Sequence, residues 1–335
     1  MRPVTTGIQA RTLATALRRC GSRVFVVIHT RPDMDAMASA AAIATALRKA
    51  GREVTLASQD PLPPHLLRVP MPVPVVCGEE ALRAAADHPD AVVAVECQSP
   101  ERGGRVLQEA TASARLTLLI DHHPDCTPWA DVRWIDPAAS SCSELAYRVH
   151  LAGFGPPDRE LATLLLAGIA ADTSWFSSRT VSPDTLATAA ELVRWGASIQ
   201  DARDWVATTS LRDLEEESAA LLRVRTLPGG VCWTCCELAT PSVRYRILDS
   251  LCALEECSAA VVACGNPDGT TTVSIRVRTE RINAMEVARA FGGGGHLHSA
   301  AFTVRMPPEL AAREAAHAVA RSLHATAGNT REYTE

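Results

Sequence analysis

Apolar positions in the first two hundred residues follow two alternating rhythms. Arg23–Ile28 (RVFVVI) and Ala91–Val95 (AVVAV) are short, continuous and β-branched, the pattern of strands buried on both faces. Residues 53–57, 116–120 and 132–135 continue that series. Between them, apolar residues recur at helical spacing over 36–50, closed by Gly51, and over 79–86, 143–152 and 159–171. Ile8, Leu13 and Leu17 predict a further helix ahead of the first strand. Strands alternating with helices predict an α/β fold with a mostly parallel sheet and helices on both faces.

From residue 182 the rhythm changes. Helices are predicted over 184–195 and 198–222, the second carrying the acidic run Glu215-Glu216-Glu217. Strand-like segments follow at 231–238, 259–264, 271–277 and 300–304, with helices at 242–251 and 283–291 between them. This predicts a smaller C-terminal α/β domain across a cleft from the first. The expected division is 1–195, a helical linker at 196–222, and 223–327, with a polar tail that frays.

Composition narrows the function. A length of 335 residues suits two domains, and 47 % hydrophobic with 21 % charged residues excludes wholesale disorder. No apolar run approaches the roughly 18 residues of a membrane-spanning helix. A net charge of −5 argues against a long duplex or an anionic membrane surface as partner, and leaves room for a short nucleic acid in a local basic pocket. With 4 % aromatics, a stacking platform along a long single strand is also unexpected. The eleven cysteines are scattered. Cys232, Cys235 and Cys236 lack a second pair at zinc spacing, so buried free thiols in a reducing compartment are expected. Arg2, Arg11, Arg18 and Arg19 without acids resemble a transit peptide, but the helical spacing that runs into a strand favours a structural helix. The expected location is the cytoplasm.

Polar and acidic residues cluster just past the apolar strands, where open α/β sheets place their ligands. His29-x-x-x-Asp33-x-Asp35 follows the first strand, Asp121-His122-His123 follows the strand at 116–120, and Asp172-Thr-Ser-x-Phe176 ends a helix. Any one of these has a plain explanation; Asp33 or Asp35 could simply cap a helix. Together, carboxylates and histidines at one sheet mouth suit two Mn²⁺ or Mg²⁺ ions.

These three motifs resemble those of the DHH phosphoesterase superfamily. Phe291-Gly292-Gly293-Gly294-Gly295-His296 with Ser299-Ala300-Ala301 is similar to the glycine-rich signature of the DHH-associated C-terminal domain. Asp136-Pro-Ala-Ala-Ser-Ser141-Cys-Ser143-Glu144 is similar to the NrnA-like branch, oligoribonucleases that also dephosphorylate 3′-phosphoadenosine 5′-phosphate. The resemblance implies that His29 and Asp33 bind one metal ion and that Asp35, His122 and Asp172 bind the other. It implies that His123 faces the scissile phosphate, with Asp121 orienting its neighbours. It also implies that Arg276, Gly293, Gly294, Gly295 and His296 hold the substrate.

Two positions depart from the pattern. Glu96 stands where relatives carry the aspartate that bridges both metals, and its extra methylene would shift one ion by ~1.5 Å. Phe302 stands where the family has glycine, and either fills core or narrows the substrate cleft. The expected protein is a Mn²⁺- or Mg²⁺-dependent phosphoesterase for short oligoribonucleotides, linear dinucleotides or 3′-phosphoadenosine 5′-phosphate, with a homodimer allowed. The alternative is a nucleotide-binding protein of the same fold whose catalysis Glu96 has weakened.

Overall fold

The computed structural model describes residues 3–207 and 209–329, in two compact units, Met1–Thr208 and Thr209–Glu335. In the first unit, β1 (Arg23–Ile28) sends Val24, Val26 and Ile28 into one apolar cluster and Phe25 and Val27 into another. A strand buried on both faces has no need of polar alternation, which is why the runs are continuous. β2 (Glu53–Ser58), β3 (Val75–Cys77), β4 (Ala91–Val95), β5 (Leu116–Asp121) and β6 (Val132–Ile135) complete a six-stranded sheet in the order β3-β2-β1-β4-β5-β6. Every pairing in it is parallel.

Helices cover both faces, as the alternation predicts. α1 (Pro3–Arg19), α2 (Met34–Lys49), α5 (Cys142–Phe154), α6 (Arg159–Asp172) and α8 (Ile199–Ala207) contribute to the larger cluster, and α7 (Pro183–Arg194) packs on α6. α3 (Gly78–Ala85) and α4 (Gly104–Ser113) close the smaller one. α2 is built largely of alanine, and its small side chains let α5 and α6 approach closely. A Cβ on Gly168 of α6 would meet Ser143 Oγ at 2.1 Å and Ala38 Cβ at 2.9 Å, so only glycine fits there.

The predicted helix over 198–222 is two helices. Ser210 accepts from the Asp213 amide while the Asp213 carboxylate reaches back to the Ser210 amide, a capping box that starts α9 (Leu211–Leu221) afresh.

In the second unit, β7 (Arg225–Leu227), β8 (Val231–Cys236), β9 (Ala259–Gly265), β10 (Thr271–Val277), β11 (Gly294–Gly295) and β12 (Ser299–Val304) form a sheet in the order β11-β12-β10-β9-β8-β7. β8 and β9 run parallel and the other pairs antiparallel. α9 and α10 (Pro241–Cys252) pack on one face. α11 (Ala284–Arg289) and α12 (Pro308–Asn329) pack on the other. The expected fraying past residue 327 falls partly on α12, which runs to Asn329, and partly on 330–335, which lie outside the described residues. No described helix is long and apolar enough to cross a membrane.

Candidate metal centre

In the order β3-β2-β1-β4-β5-β6 the connections leave β1 toward β2 on one side and return beside it as β4, so the carboxyl ends of β1 and β4 open a crevice. His29 leaves the end of β1 and Glu96 the end of β4, while Asp121 closes β5 and is followed by His122 and His123. Asp33 caps α2 and Asp35 lies in its first turn, and Asp172 ends α6.

These side chains converge. His29, Asp33 and Glu96 offer ligand atoms within 4.8 Å of one another, and so do Asp35, His122 and Asp172. A third group, Glu96, His122 and His123, connects the two. Glu96 belongs to the first and third groups and His122 to the second and third, so these two side chains join the sets: Glu96 Oε2 lies 3.8 Å from His29 Nε2 and its Oε1 3.5 Å from His122 Nε2. Asp33 Oδ2 lies 3.4 Å from His29 Nε2, and Asp172 Oδ2 lies 3.5 Å from His122 Nε2. The longer side chain of Glu96 therefore spans the two sets.

Several of these side chains are held from behind. His29 donates its Nδ1–H to the Thr30 carbonyl at 2.7 Å, which fixes the tautomer and leaves Nε2 as a lone pair in the site. Asp35 accepts from the amides of Cys142 at 2.7 Å and Ser143 at 2.9 Å, so the N-terminus of α5 steadies its charge. That contact gives the Ser-Ser-Cys-Ser segment a purpose that sequence spacing alone did not show. Asp121 Oδ1 accepts from both the amide and the Nδ1 of His123, each at 2.8 Å, and leaves His123 Nε2 unengaged by that pair.

Electrostatics favour a cation. Burial pushes the Glu96 carboxyl well above the usual carboxylate range, and the charges of Asp33, Asp35, Asp172 and Asp121 push it the same way. Asp172 is raised to about 7 by burial and by Asp35. Burial also raises Asp35. For His122, burial opposes the charged form, but Asp172, Asp35 and Asp121 outweigh it and raise the pKa. Glu96 Oε2 and His122 Nε2 are buried without a hydrogen-bond partner. Buried polar atoms without partners among mutually repelling carboxylates fit divalent cations, and the mixed oxygen and imidazole ligands are of metal-binding type. Glu96 itself sits at φ +59°, a left-handed backbone rare for a side-chain-bearing residue and concentrated at functional sites.

The residues expected to hold substrate lie in the second unit. Gly292 has φ +79°. Gly293 and Gly295 are glycine because β12 approaches: a Cβ would meet the Ala301 carbonyl at 2.3 Å or Ala300 Cα at 2.5 Å. Gly294 alone faces open space in an ordinary conformation. His296 is exposed beside this hairpin. Phe302 fills core: it is buried and stacks on Phe291 with centroids 4.4 Å apart. Arg276 donates to Asp249 on α10, so in this structure its charge is already paired.

The chain is similar to several known proteins. Residues 23–169 match the N-terminal domain of the DHH family. An uncharacterized protein of Mycoplasma pneumoniae is 32 % identical over 211 residues, covering 60 % of this chain and 63 % of that protein. The match thus spans less than two thirds of that relative's length. The bifunctional oligoribonuclease and PAP phosphatase NrnA of Thermus thermophilus is 26 % identical over 300 residues, covering 88 % of each chain. Among solved structures, an exopolyphosphatase-related protein from Bacteroides fragilis superposes with a TM-score of 0.82 at 17 % identity, covering 94 % of this chain and 95 % of that one.

Proposed function

We propose that this chain, whose residues 23–169 match the N-terminal domain of the DHH family, is a divalent-metal-dependent phosphoesterase of the NrnA-like kind. Its substrates are short oligoribonucleotides, linear dinucleotides or 3′-phosphoadenosine 5′-phosphate. The observation that carries the reading is the pair of three-residue ligand sets at the sheet mouth, joined where Glu96 of one approaches His122 of the other. Similarity to the Thermus NrnA over most of both chains supports the nucleotide class.

His29, Asp33 and Glu96 would hold one ion, and Asp35, His122 and Asp172 the other, with Glu96 shared. When bound, the two cations polarise the phosphate and acidify water. His123, oriented by Asp121, presents its Nε2 to the phosphate and can stabilise or move a proton there. The remaining expectations are carried as part of this proposal: a cytoplasmic setting, a small nucleotide partner rather than a membrane or long duplex, and Mn²⁺ as the preferred ion.

Incubating the full-length protein with short RNAs, dinucleotides and 3′-phosphoadenosine 5′-phosphate tests it. Hydrolysis with Mn²⁺, lost in chelator and in Asp35→Ala, is expected. Turnover that survives metal removal would refute the reading. Tight nucleotide binding without any turnover would favour the weakened, binding-only alternative, which the departure at Glu96 keeps in play.

A further inference from the structure

α10 covers only half of its face of the second sheet. The apolar cluster beneath it draws on β8 and β9, through Cys232, Cys236, Ala260, Val262 and Cys264, and on no residue of β10 or β12. The other half of that face carries small or polar side chains in register: Arg276 opposite Ser299, Ser274 opposite Ala301, and Thr272 opposite Thr303. Gly294 of β11 pairs with Ala301 beside them.

Over the edge of this uncovered half stands Tyr245 of α10, 49 % exposed. Two guanidinium groups lie on its ring, with Arg244 Cζ 5.4 Å and Arg276 Cζ 5.8 Å from the centroid. Arg276 is tied to Asp249, one turn along α10 from Tyr245. Arg244 makes no ion pair among the described residues, and its buried Nε has no hydrogen-bond partner. Chain-wide, tyrosine is scarce: Tyr147 is buried, and Tyr333 lies outside the described residues.

We propose that Tyr245 is a stacking platform for a nucleobase and sets the enzyme's preference for nucleotides over other phosphate esters. This rests on the phosphoesterase reading above and adds to it a residue that no motif signals. The chemistry is complementary on both counts. An aromatic face and a purine or pyrimidine face stack without needing a particular base. A guanidinium that leaves the ring as the base arrives is free to pair with the phosphate in a two-pronged contact. Arg244, held by the ring and lacking an acceptor at Nε, is the group placed to make that exchange. Ser299 and Ala301 are exposed and nothing lies within 4 Å of a Cβ built on Gly294, so this part of the sheet is open to a ribose.

Titration of the full-length protein in chelator, by calorimetry, separates this from the catalytic reading because no turnover is required. AMP and ribose 5-phosphate are the two probes. Tyr245→Ala should weaken AMP about 10-fold, within the range of one lost base–aromatic stack, and leave ribose 5-phosphate unchanged. Tyr245→Phe keeps the ring and should hold AMP affinity within about 2-fold of wild type. Unchanged melting temperature shows that the variants fold. Equal weakening of both probes, or no effect of Tyr245→Ala on AMP, overturns the proposal even if Mn²⁺-dependent hydrolysis is intact. Conversely, a wild-type protein that binds AMP through Tyr245 and hydrolyses nothing would refute the phosphoesterase reading and leave this one standing.

Discussion

At Glu96 a left-handed backbone and a long side chain solve one geometric problem together. The strand must turn sharply at its carboxyl end, and the carboxylate must reach His29 on one side and His122 on the other, 3.8 and 3.5 Å from its two oxygens. Shortening the side chain by one methylene, about 1.5 Å, leaves it able to approach only one of the two. Glu96→Asp should therefore lower the Mn²⁺-dependent rate, by roughly 100-fold if the displaced ligand misplaces the nucleophile as small displacements do. Steady-state kinetics at saturating Mn²⁺ measure this. A faster Glu96→Asp enzyme would mean that the native glutamate had weakened the site. Residue identity alone made Glu96 visible as a departure from its relatives. That the longer side chain spans both ligand sets became visible only in three dimensions, because the span depends on where β1 and β5 deliver the two histidines.

Helices and strands were legible where burial writes a strong pattern, and illegible where it does not. β1 and β4 announce themselves because both faces need apolar residues. β3, β7 and β11 are two or three residues long at or near sheet edges, too short for any periodicity, and they were not anticipated. α4 and α12 were missed for a related reason: α12 buries Ala311, Ala312, Ala315 and Ala316, a face made of alanine whose contrast with the polar face is weak. Small residues also fix the active-site helices. Because a Cβ at Gly168 would meet Ser143 Oγ at 2.1 Å, Gly168→Ala should push α6 away from α5 and carry Asp172, four residues on, out of its ligand set. We expect a stability loss of about 1–3 kcal/mol, the usual range for overpacking, with weaker binding of metal. Removing the clashing hydroxyl with Ser143→Ala should restore part of both, a non-additive pair that denaturant melts and metal titration would show. If Gly168→Ala is silent, the close approach of the three helices is not what positions Asp172.

For the whole molecule, the unbalanced charge at the sheet mouth makes folding stability depend on pH and on metal together. Asp172 is raised to about 7 in the folded chain, against about 4 for an ordinary carboxylate. A raised pKa means that the folded state favours the protonated form. Its contribution is therefore present in full below about pH 4 and disappears as pH rises through about 7. Glu96 and Asp35 are raised as well and act in the same direction. The metal-free protein should thus melt at a lower temperature at pH 8 than at pH 5.5. Divalent ions bind the ionised carboxylates, so their stabilising effect should grow over the same interval. Asp172→Asn separates this cause from a general effect of net charge. The amide stays neutral, so in chelator the variant should be more stable than wild type at pH 8, and the advantage should shrink toward pH 5.5. Because the Asp172 side chain is 33 % exposed, solvent screening holds the gain to roughly 1 kcal/mol, or about 2 °C for a unit the size of Met1–Thr208. With Mn²⁺ present the order should reverse, since the variant has lost a ligand. Thermal melts of the two proteins at the two pH values, with and without metal, give the comparison. A variant less stable than wild type in chelator at pH 8 would show that charge repulsion at the sheet mouth is not what the metal relieves.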